Sequence, residues 1–217
     1  MIEKKNIESW VFDLDNTLYP VSANLFAQVD VRMRDFIAQY LRVDSDEAYK
    51  IQKHYFKTYG TTLRGLMTCH DMDPSPYLDY VHDIDVSTVE PSPELATAIR
   101  GLEGQKYIFT NASYDHAMRV MDRLEVSDCF DGIFDIVDAG YDPKPKAHVY
   151  DKFLEKFAIE PTKAVMIEDM ARNLEPAANL GMACVWVEND HEWAKEGAEE
   201  PYVHDQTDDL LGWLQGL

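Results

Sequence analysis

Short apolar runs alternate with amphipathic helical patterns over most of the chain. Between the later runs, apolar residues recur at helical spacing, as in residues 114–124. Strands that alternate with helices predict a parallel sheet with helices on both faces. The predicted fold class is therefore α/β, with three layers. The five runs that predict buried strands are 10–14, 106–110, 132–137, 164–167 and 183–187.

The interval between the first predicted strand and Ser92 is too long for one crossover helix. Apolar residues at helical spacing predict several helices within it. These patterns cover 25–41, 48–59, 63–67 and 77–81. The segment Pro74-Ser75-Pro76 predicts a turn among them. Residues 18–85 are therefore predicted to form an all-helical cap, inserted into a catalytic core of residues 1–17 and 86–217.

Composition and charge exclude several classes of partner. Hydrophobic residues make up 46% of the 217 positions, which is typical of a globular protein. The net charge of -20 opposes attraction to polymeric nucleic acid or an anionic membrane, so we expect neither as a partner. Three distant cysteines without CxxC spacing, and no signal-peptide pattern, predict a cytoplasmic protein. Monomer and homodimer both remain open.

Polar residues stand at the ends of the predicted strands. In an open parallel sheet ligands bind beyond the carboxyl ends of the strands, so we expect these residues to meet. Several carboxylates in one place repel each other, and a divalent cation would balance them. Oxygen ligands without Cys or His favour Mg²⁺. The residues are Asp13, Asp15, Thr110, Asn111, Glu168, Asp169 and Asn173, with Lys144 or Lys146 after the third strand.

In this order, Asp13-Leu14-Asp15-Asn16-Thr17, Thr110, Lys144 and Glu168-Asp169 resemble the motifs of the haloacid dehalogenase superfamily. The resemblance implies a phosphatase with a Rossmann-like parallel-sheet core. Asp13 resembles the nucleophile, and Asp15 resembles the general acid and base. The second Asp of the first motif is absent from dehalogenating members, so Asp15 favours phosphoryl transfer over halide displacement.

The same resemblance implies the remaining roles. Asp13, the backbone carbonyl of Asp15 and Asp169 would hold Mg²⁺, with Glu168 and Asn173 in support. Thr110 and the Asn111 backbone N–H would bind phosphate oxygens, and Lys144 would balance charge on Asp13. Many relatives carry another Asp where this chain has Asn173. A carboxylate that attacks phosphorus forms an aspartyl phosphate, which divides one difficult displacement into two easier ones.

Three further segments resemble a pyrimidine 5′-nucleotidase-type branch of the superfamily. They are 15–20, 59–66 and 109–117. This resemblance implies a nucleoside monophosphate such as UMP or CMP as the substrate. Thr62, Arg64 and Gly65 are then candidate substrate-binding residues in the cap.

Two other functions remain open from the sequence. One is a phosphoglycolate or sugar-phosphate phosphatase or mutase on the same core, although Thr17 disfavours the mutase. The other is a noncatalytic regulator that binds phosphate or a nucleotide, against which both Asp13 and Asp15 argue. The seven histidines show no ligand spacing and are interpreted as structural or surface residues. They are His54, His70, His82, His116, His148, His191 and His204.

Overall fold

The computed structural model describes residues 6–217, which contain one sheet of six parallel strands. In chain order the strands are β1 (Ser9–Phe12), β2 (Gln105–Phe109), β3 (Gly132–Phe134), β4 (Ala164–Glu168), β5 (Ala183–Val187) and β6 (Asp205–Thr207). Their spatial order is β3-β2-β1-β4-β5-β6, so the chain winds outwards from β1 on one side and from β4 on the other. The switch point between β1 and β4 is where such sheets bind ligands.

Four α-helices lie between β1 and Ser92. They are α1 (Leu25–Leu41), α2 (Ser45–Tyr59), α3 (Thr62–His70) and α4 (Pro74–His82). All four lie within the interval 18–85, whose status as a separate cap domain stays a prediction. The turn predicted at Pro74-Ser75-Pro76 is wrong, because α4 begins there. Proline suits the first turn of a helix, and the Asp73 carboxylate accepts a hydrogen bond from the Ser75 N–H.

The remaining helices cover both faces of the sheet. They are α5 (Pro93–Arg100), α6 (Tyr114–Leu124), α7 (Ala147–Phe157), α8 (Leu174–Asn179) and α9 (Leu210–Gly216). Alternate side chains of β1 enter different cores: Trp10 and Phe12 pack on one face, and Val11 packs on the other. This alternation confirms the predicted three-layer α/β fold.

The apolar cores on the two faces of the sheet contain different helices. The core around Val11 contains Val149 and Phe153 of α7 together with Leu174 of α8. The core around Phe12 contains residues of α5, α6 and α9, and it continues into the helices that follow β1. The four helices α1–α4 therefore share one apolar core with this face of the sheet. Across residues 6–217, each helix is too short or too polar to cross a bilayer.

The five predicted strands are confirmed, but β6 was not predicted. Its residues, Asp205, Gln206 and Thr207, contain no apolar side chain. The strand pairs with β5 only, at the edge of the sheet. Apolar runs identify strands buried on both faces, so a polar edge strand escapes this criterion.

Candidate active site

The predicted motifs meet at the carboxyl edge of the sheet. Phe12 of β1 lies level with Ile108 of β2 and Ile167 of β4, so the residues that follow these strands emerge side by side. The Asp13 N–H donates to the Ile167 carbonyl at 2.8 Å, and the Thr110 N–H donates to the Phe134 carbonyl at 3.0 Å. The main chain thus places Asp13, Thr110 and Glu168 at one site.

Lys144 lies inside this site, and Lys146 does not. The Lys144 ammonium donates to Asp13 Oδ1 at 2.7 Å, to Glu168 Oε2 at 2.6 Å and to the Phe109 carbonyl at 2.7 Å. Burial acts to lower the pKa of Lys144, but Asp13 and Glu168 outweigh it and raise the pKa. Lys146 pairs with Asp142 at 2.5 Å and remains partly exposed.

The Asn111 side chain joins the second strand end to the lysine segment. Its Oδ1 accepts a hydrogen bond from the Lys144 N–H at 2.8 Å, and its Nδ2 donates to the Lys144 carbonyl at 3.5 Å. Asn111 was predicted to act through its backbone N–H, so this contact of the amide was not predicted. It fixes the position of the chain that carries the buried ammonium.

Asp13, Glu168 and Asp169 form a buried carboxylate cluster. One oxygen from each lies within 4.8 Å of the others. Burial, with the neighbouring Glu168 charge, raises the pKa of Asp13 to about 7 despite the opposing effect of Lys144. Burial, together with Glu168 and Asp13, also raises the pKa of Asp169. When all three carboxylates are ionised, the cluster carries more negative charge than one lysine balances, and this repulsion is what raises the two pKa values beyond the effect of burial.

The cluster suits a hard divalent cation. Asn173 is buried, and its Oδ1 has no hydrogen-bond partner among residues 6–217, so an acceptor oxygen is unused there. Asn189 Nδ2 holds Asp169 Oδ2 at 2.9 Å, and Trp186 Nε1 donates to the Asp169 carbonyl at 2.7 Å. The atoms that could bind a metal ion here are all oxygen atoms, and Mg²⁺ prefers oxygen ligands.

The Asp15 carboxylate lies outside the carboxylate cluster. Its Oδ1 accepts hydrogen bonds from the Tyr19 hydroxyl at 2.5 Å and from His116 Nε2 at 2.9 Å. Burial acts to raise the pKa of Asp15, but the charge and hydrogen bond of His116 and the bond from Tyr19 lower it to about 2. A role of Asp15 in metal binding would therefore use its backbone carbonyl, as predicted. Its carboxylate stays outside the cluster, where it can take part in acid–base chemistry.

His116 was interpreted as a structural or surface residue, and the structure shows it buried beside Asp15. It lies in the first turn of α6, is buried, and contacts Asp15 directly. Its ring stacks on His82 of α4, with ring centroids 4.6 Å apart. A sequence signal existed, because α6 begins just after the polar end of β2. A histidine there points towards the same edge of the sheet.

A cavity of about 490 Å³ opens from this site towards α1 and α2. Asp13, Thr110 and Lys144 line one end. An aromatic wall, formed by Phe26 of α1, Phe56 of α2 and Trp193 of the segment after β5, lines another part. The Trp193 ring centroid lies 5.7 Å from that of Phe26 and 6.5 Å from that of Phe56.

The three predicted cap residues have different positions. Thr62 is buried and lines the cavity. Arg64 does not line it; its Nε pairs with Asp142 Oδ1 at 3.3 Å. Gly65 also lies outside the lining, and a Cβ atom there would come within 2.3 Å of the Tyr55 ring. Close packing therefore explains the glycine, and only Thr62 of the three is placed to meet a ligand in this cavity.

Fold and site together define a hydrolase of the haloacid dehalogenase type. Residues 8–181 match the model of the haloacid dehalogenase-like hydrolases, and the chain belongs to this family. The predicted family is confirmed. The predicted enzyme class, a phosphatase of this family, agrees with the relatives that follow.

Two curated relatives and one solved structure illustrate the likeness. Phosphate metabolism protein 8 of Saccharomyces cerevisiae is 29% identical over 199 residues, which cover 80% of this chain and 59% of the yeast protein. The chain thus spans about three fifths of that relative's length. Glyceraldehyde 3-phosphate phosphatase of Pyrococcus furiosus is 25% identical over 196 residues, which cover 84% of this chain and 81% of that enzyme. A HAD phosphatase from Thermococcus onnurineus shares the fold, with a TM-score of 0.65, 16% identity and 97% coverage of both chains.

Proposed function

We propose that this protein hydrolyses a small phosphomonoester through an aspartyl-phosphate intermediate on Asp13, with Mg²⁺ as cofactor. The observation that carries the proposal is the position of the Lys144 ammonium between Asp13 and Glu168, beside the end of β2. A buried lysine that holds a carboxylate at the open edge of a sheet suits the charge balance of phosphoryl transfer.

In the first step, a carboxylate oxygen of Asp13 attacks phosphorus as the bond to the leaving oxygen breaks. The Thr17 hydroxyl donates to Asp13 Oδ2 at 3.1 Å and orients the carboxylate. The Thr110 hydroxyl oxygen accepts a hydrogen bond from the Ala112 N–H at 3.0 Å, so its own proton can be donated to a phosphate oxygen. The negative charge of a bound phosphate ester raises the pKa of Asp15 above its low value in the free protein, so Asp15 can carry a proton and give it to the leaving oxygen.

In the second step, water attacks the phosphorus of the aspartyl phosphate and Asp15 accepts a proton from it. Phosphate leaves and the Asp13 carboxylate is restored. Asp13, Asp169 and the Asp15 backbone carbonyl would hold Mg²⁺, with Glu168 and Asn173 in support. When bound, the ion supplies positive charge that draws the phosphate towards the nucleophile.

Replacement of the nucleophile tests the proposal. We expect Asp13→Asn to reduce kcat with p-nitrophenyl phosphate and Mg²⁺ by about a thousandfold or more, because the amide cannot form the intermediate. Asp128→Asn, which removes an exposed carboxylate paired with Arg100, is the matched control. Full activity in Asp13→Asn would refute the mechanism. A wild-type protein without activity on a broad panel of phosphoesters would favour the noncatalytic regulator.

We further propose nucleoside 5′-monophosphates, such as UMP and CMP, as substrates. The resemblance of three segments to pyrimidine nucleotidases supports this, and so does the aromatic wall of Phe26, Phe56 and Trp193. The cavity volume of about 490 Å³ lies in the usual range for small-molecule sites. A flat base would stack on aromatic rings, whereas a three-carbon leaving group would leave them uncovered.

A sugar-phosphate or phosphoglycolate phosphatase is the second candidate. It is supported by the likeness to the Pyrococcus furiosus enzyme, which extends over most of both chains. A comparison of kcat/KM for UMP, CMP, glyceraldehyde 3-phosphate and phosphoglycolate separates the two. If UMP and CMP are no better than the smaller esters, the nucleotidase assignment fails and the phosphatase proposal remains. Cytoplasmic location and a monomeric or homodimeric state remain predictions from the sequence.

A further inference from the structure

The Asp15 carboxylate is held through one oxygen only. The Tyr19 hydroxyl and His116 Nε2 both donate to Oδ1. The two donors come from different parts of the fold: Tyr19 lies four residues along the chain, and His116 belongs to α6. Two donors from separate elements fix the plane of the carboxylate. Oδ2 receives neither bond and belongs to a residue that lines the cavity.

His116 is itself fixed from both the core and the cap. Its ring stacks on His82, the last residue of α4, at an interplanar angle of 26°. His82 Nδ1 lies 2.9 Å from the Ser113 hydroxyl, and its carbonyl accepts a hydrogen bond from Arg119 at 2.8 Å. The His116 imidazole packs against a histidine that is itself held in place, so it has little freedom to rotate away from Asp15.

The tautomer of His116 follows from its contacts. Oδ1 of Asp15 is an acceptor both when the carboxylate is ionised and when Oδ2 carries a proton, so Nε2 must carry the proton of this hydrogen bond. Nδ1 is buried and has no partner among residues 6–217, so the contact with Asp15 goes through Nε2 alone. His116 therefore presents a single fixed donor to Asp15.

We propose that His116 is a positioning residue, which with Tyr19 holds Oδ1 of Asp15 so that Oδ2 faces the leaving oxygen of the substrate. The inference rests on the phosphatase mechanism proposed above. As the phosphorus–oxygen bond breaks, the proton moves from Oδ2 to the leaving oxygen. Oδ1 accepts the same two hydrogen bonds before and after this transfer, so the geometry persists through the step. Proton transfer depends steeply on such alignment.

The leaving group distinguishes positioning of Asp15 from a general structural role. p-Nitrophenolate departs as a stable anion and needs no proton, whereas the alkoxide from benzyl phosphate needs one. The two esters have leaving groups of similar size. The ratio kcat/KM reports steps up to departure of the leaving group, so it excludes hydrolysis of the aspartyl phosphate, which both substrates share.

The experiment measures kcat/KM for both esters in wild type, His116→Ala and His116→Gln, with Mg²⁺ present. General acid catalysis typically contributes 10²–10⁴-fold, and loss of alignment should remove part of it. We expect His116→Ala to lose about 10- to 100-fold with benzyl phosphate and less than about threefold with p-nitrophenyl phosphate. His116→Gln, whose amide can donate to Oδ1, should recover part of the loss. His54→Ala, at an exposed histidine of α2, is the matched control.

Each outcome decides between the possibilities. An equal loss with both esters, or no loss with benzyl phosphate, would overturn the positioning role while leaving the phosphatase mechanism intact. A wild type that hydrolyses neither ester would overturn both. If circular dichroism shows that His116→Ala does not fold, Tyr19→Phe removes the other donor with little change of shape. It should give the same selective loss with benzyl phosphate, and a uniform loss would again contradict the role.

Discussion

The two sides of the active site are built in different ways. The nucleophile side consists of Asp13, Lys144, Glu168 and Asp169, which are buried and positioned by strand ends and the segment after β3. The leaving-group side consists of Asp15, His116 and the aromatic wall. His116 contacts His82 of α4, and the wall includes Trp193 of the segment after β5. The first side is fixed by the sheet, whereas the second depends on how α1, α2 and α4 pack against α6 and the segment after β5. We therefore expect changes on the first side to affect all substrates alike, and changes on the second side to separate one substrate from another.

Lys144→Met should give the largest effect. Removal of the ammonium leaves the carboxylates of Asp13 and Glu168 buried without their cation. Removing one partner of a buried ion pair typically costs about 3–5 kcal/mol of stability. We expect kcat to fall by about a thousandfold, equally for UMP and p-nitrophenyl phosphate.

Lys146→Met is the matched control, because Lys146 pairs with Asp142 outside the site. It should change kcat by less than about twofold. Thermal unfolding and kinetics of both variants check the prediction. Equal effects of the two substitutions would contradict the division of roles between the lysines.

Binding of Mg²⁺ should stabilise the protein, and the effect should depend on pH. Burial and Glu168 raise the pKa of Asp13 from 3.8 to about 7, so its protonated form stabilises the metal-free fold in acid. This contribution is complete below pH 3.8 and is lost as the pH rises through about 7. The ion replaces the lost proton, so the rise in Tm with Mg²⁺ should be larger at pH 8 than at pH 6.

Thermal unfolding with and without Mg²⁺ measures this effect. At a hundredfold excess over Kd, one bound ion adds about 2.7 kcal/mol of stability. Asp169→Asn should lose the shift, and its metal-free form should be at least as stable as wild type because one repelling charge is gone. Asp128→Asn should keep the shift. A shift that persists in Asp169→Asn would place the ion elsewhere.

Trp193→Ala should separate substrates. Stacking of a base on an aromatic side chain is worth about 1–3 kcal/mol, so we expect kcat/KM for UMP to fall about tenfold. The value for glyceraldehyde 3-phosphate should change little, because a three-carbon group has no flat ring to stack on the wall. Tyr40→Ala removes an exposed aromatic residue that stacks on Phe36 and serves as the control. Equal losses for both esters would mean that Trp193 only supports the fold.

The same division explains what the sequence could predict. Strands buried on both faces form apolar runs, and their carboxyl ends meet at one edge, so Asp13, Thr110 and Asp169 could be grouped without a structure. The contact between Asp15 and His116 joins residues 101 positions apart and depends on the docking of α6 beside the cap. The spacing of apolar residues along the chain cannot predict a contact between residues so far apart.

The sequence also misled where one segment is compatible with two local structures, and it gave no signal where a residue lies outside any helix or strand. Pro74-Ser75-Pro76 suits a turn or the first turn of a helix, and the structure shows the helix because α4 continues to His82. Trp193 lies in a segment without regular structure. Its ring lines the cavity beside Phe26 and Phe56. These contacts join segments far apart in the sequence, so no local pattern predicts them.

Arg64→Met should give the smallest effect. The sequence makes Arg64 a candidate substrate-binding residue, but its guanidinium pairs with Asp142 and lies outside the cavity lining. Partly exposed ion pairs contribute about 0.2–1 kcal/mol, so we expect a small fall in Tm and less than about a threefold change in KM for UMP. Asp142→Asn removes the partner of Lys146 and His148 as well as that of Arg64, so it should lower Tm by more than Arg64→Met does. A tenfold rise in KM for Arg64→Met alone would restore its role in substrate binding, and it would extend the leaving-group side of the site to α3.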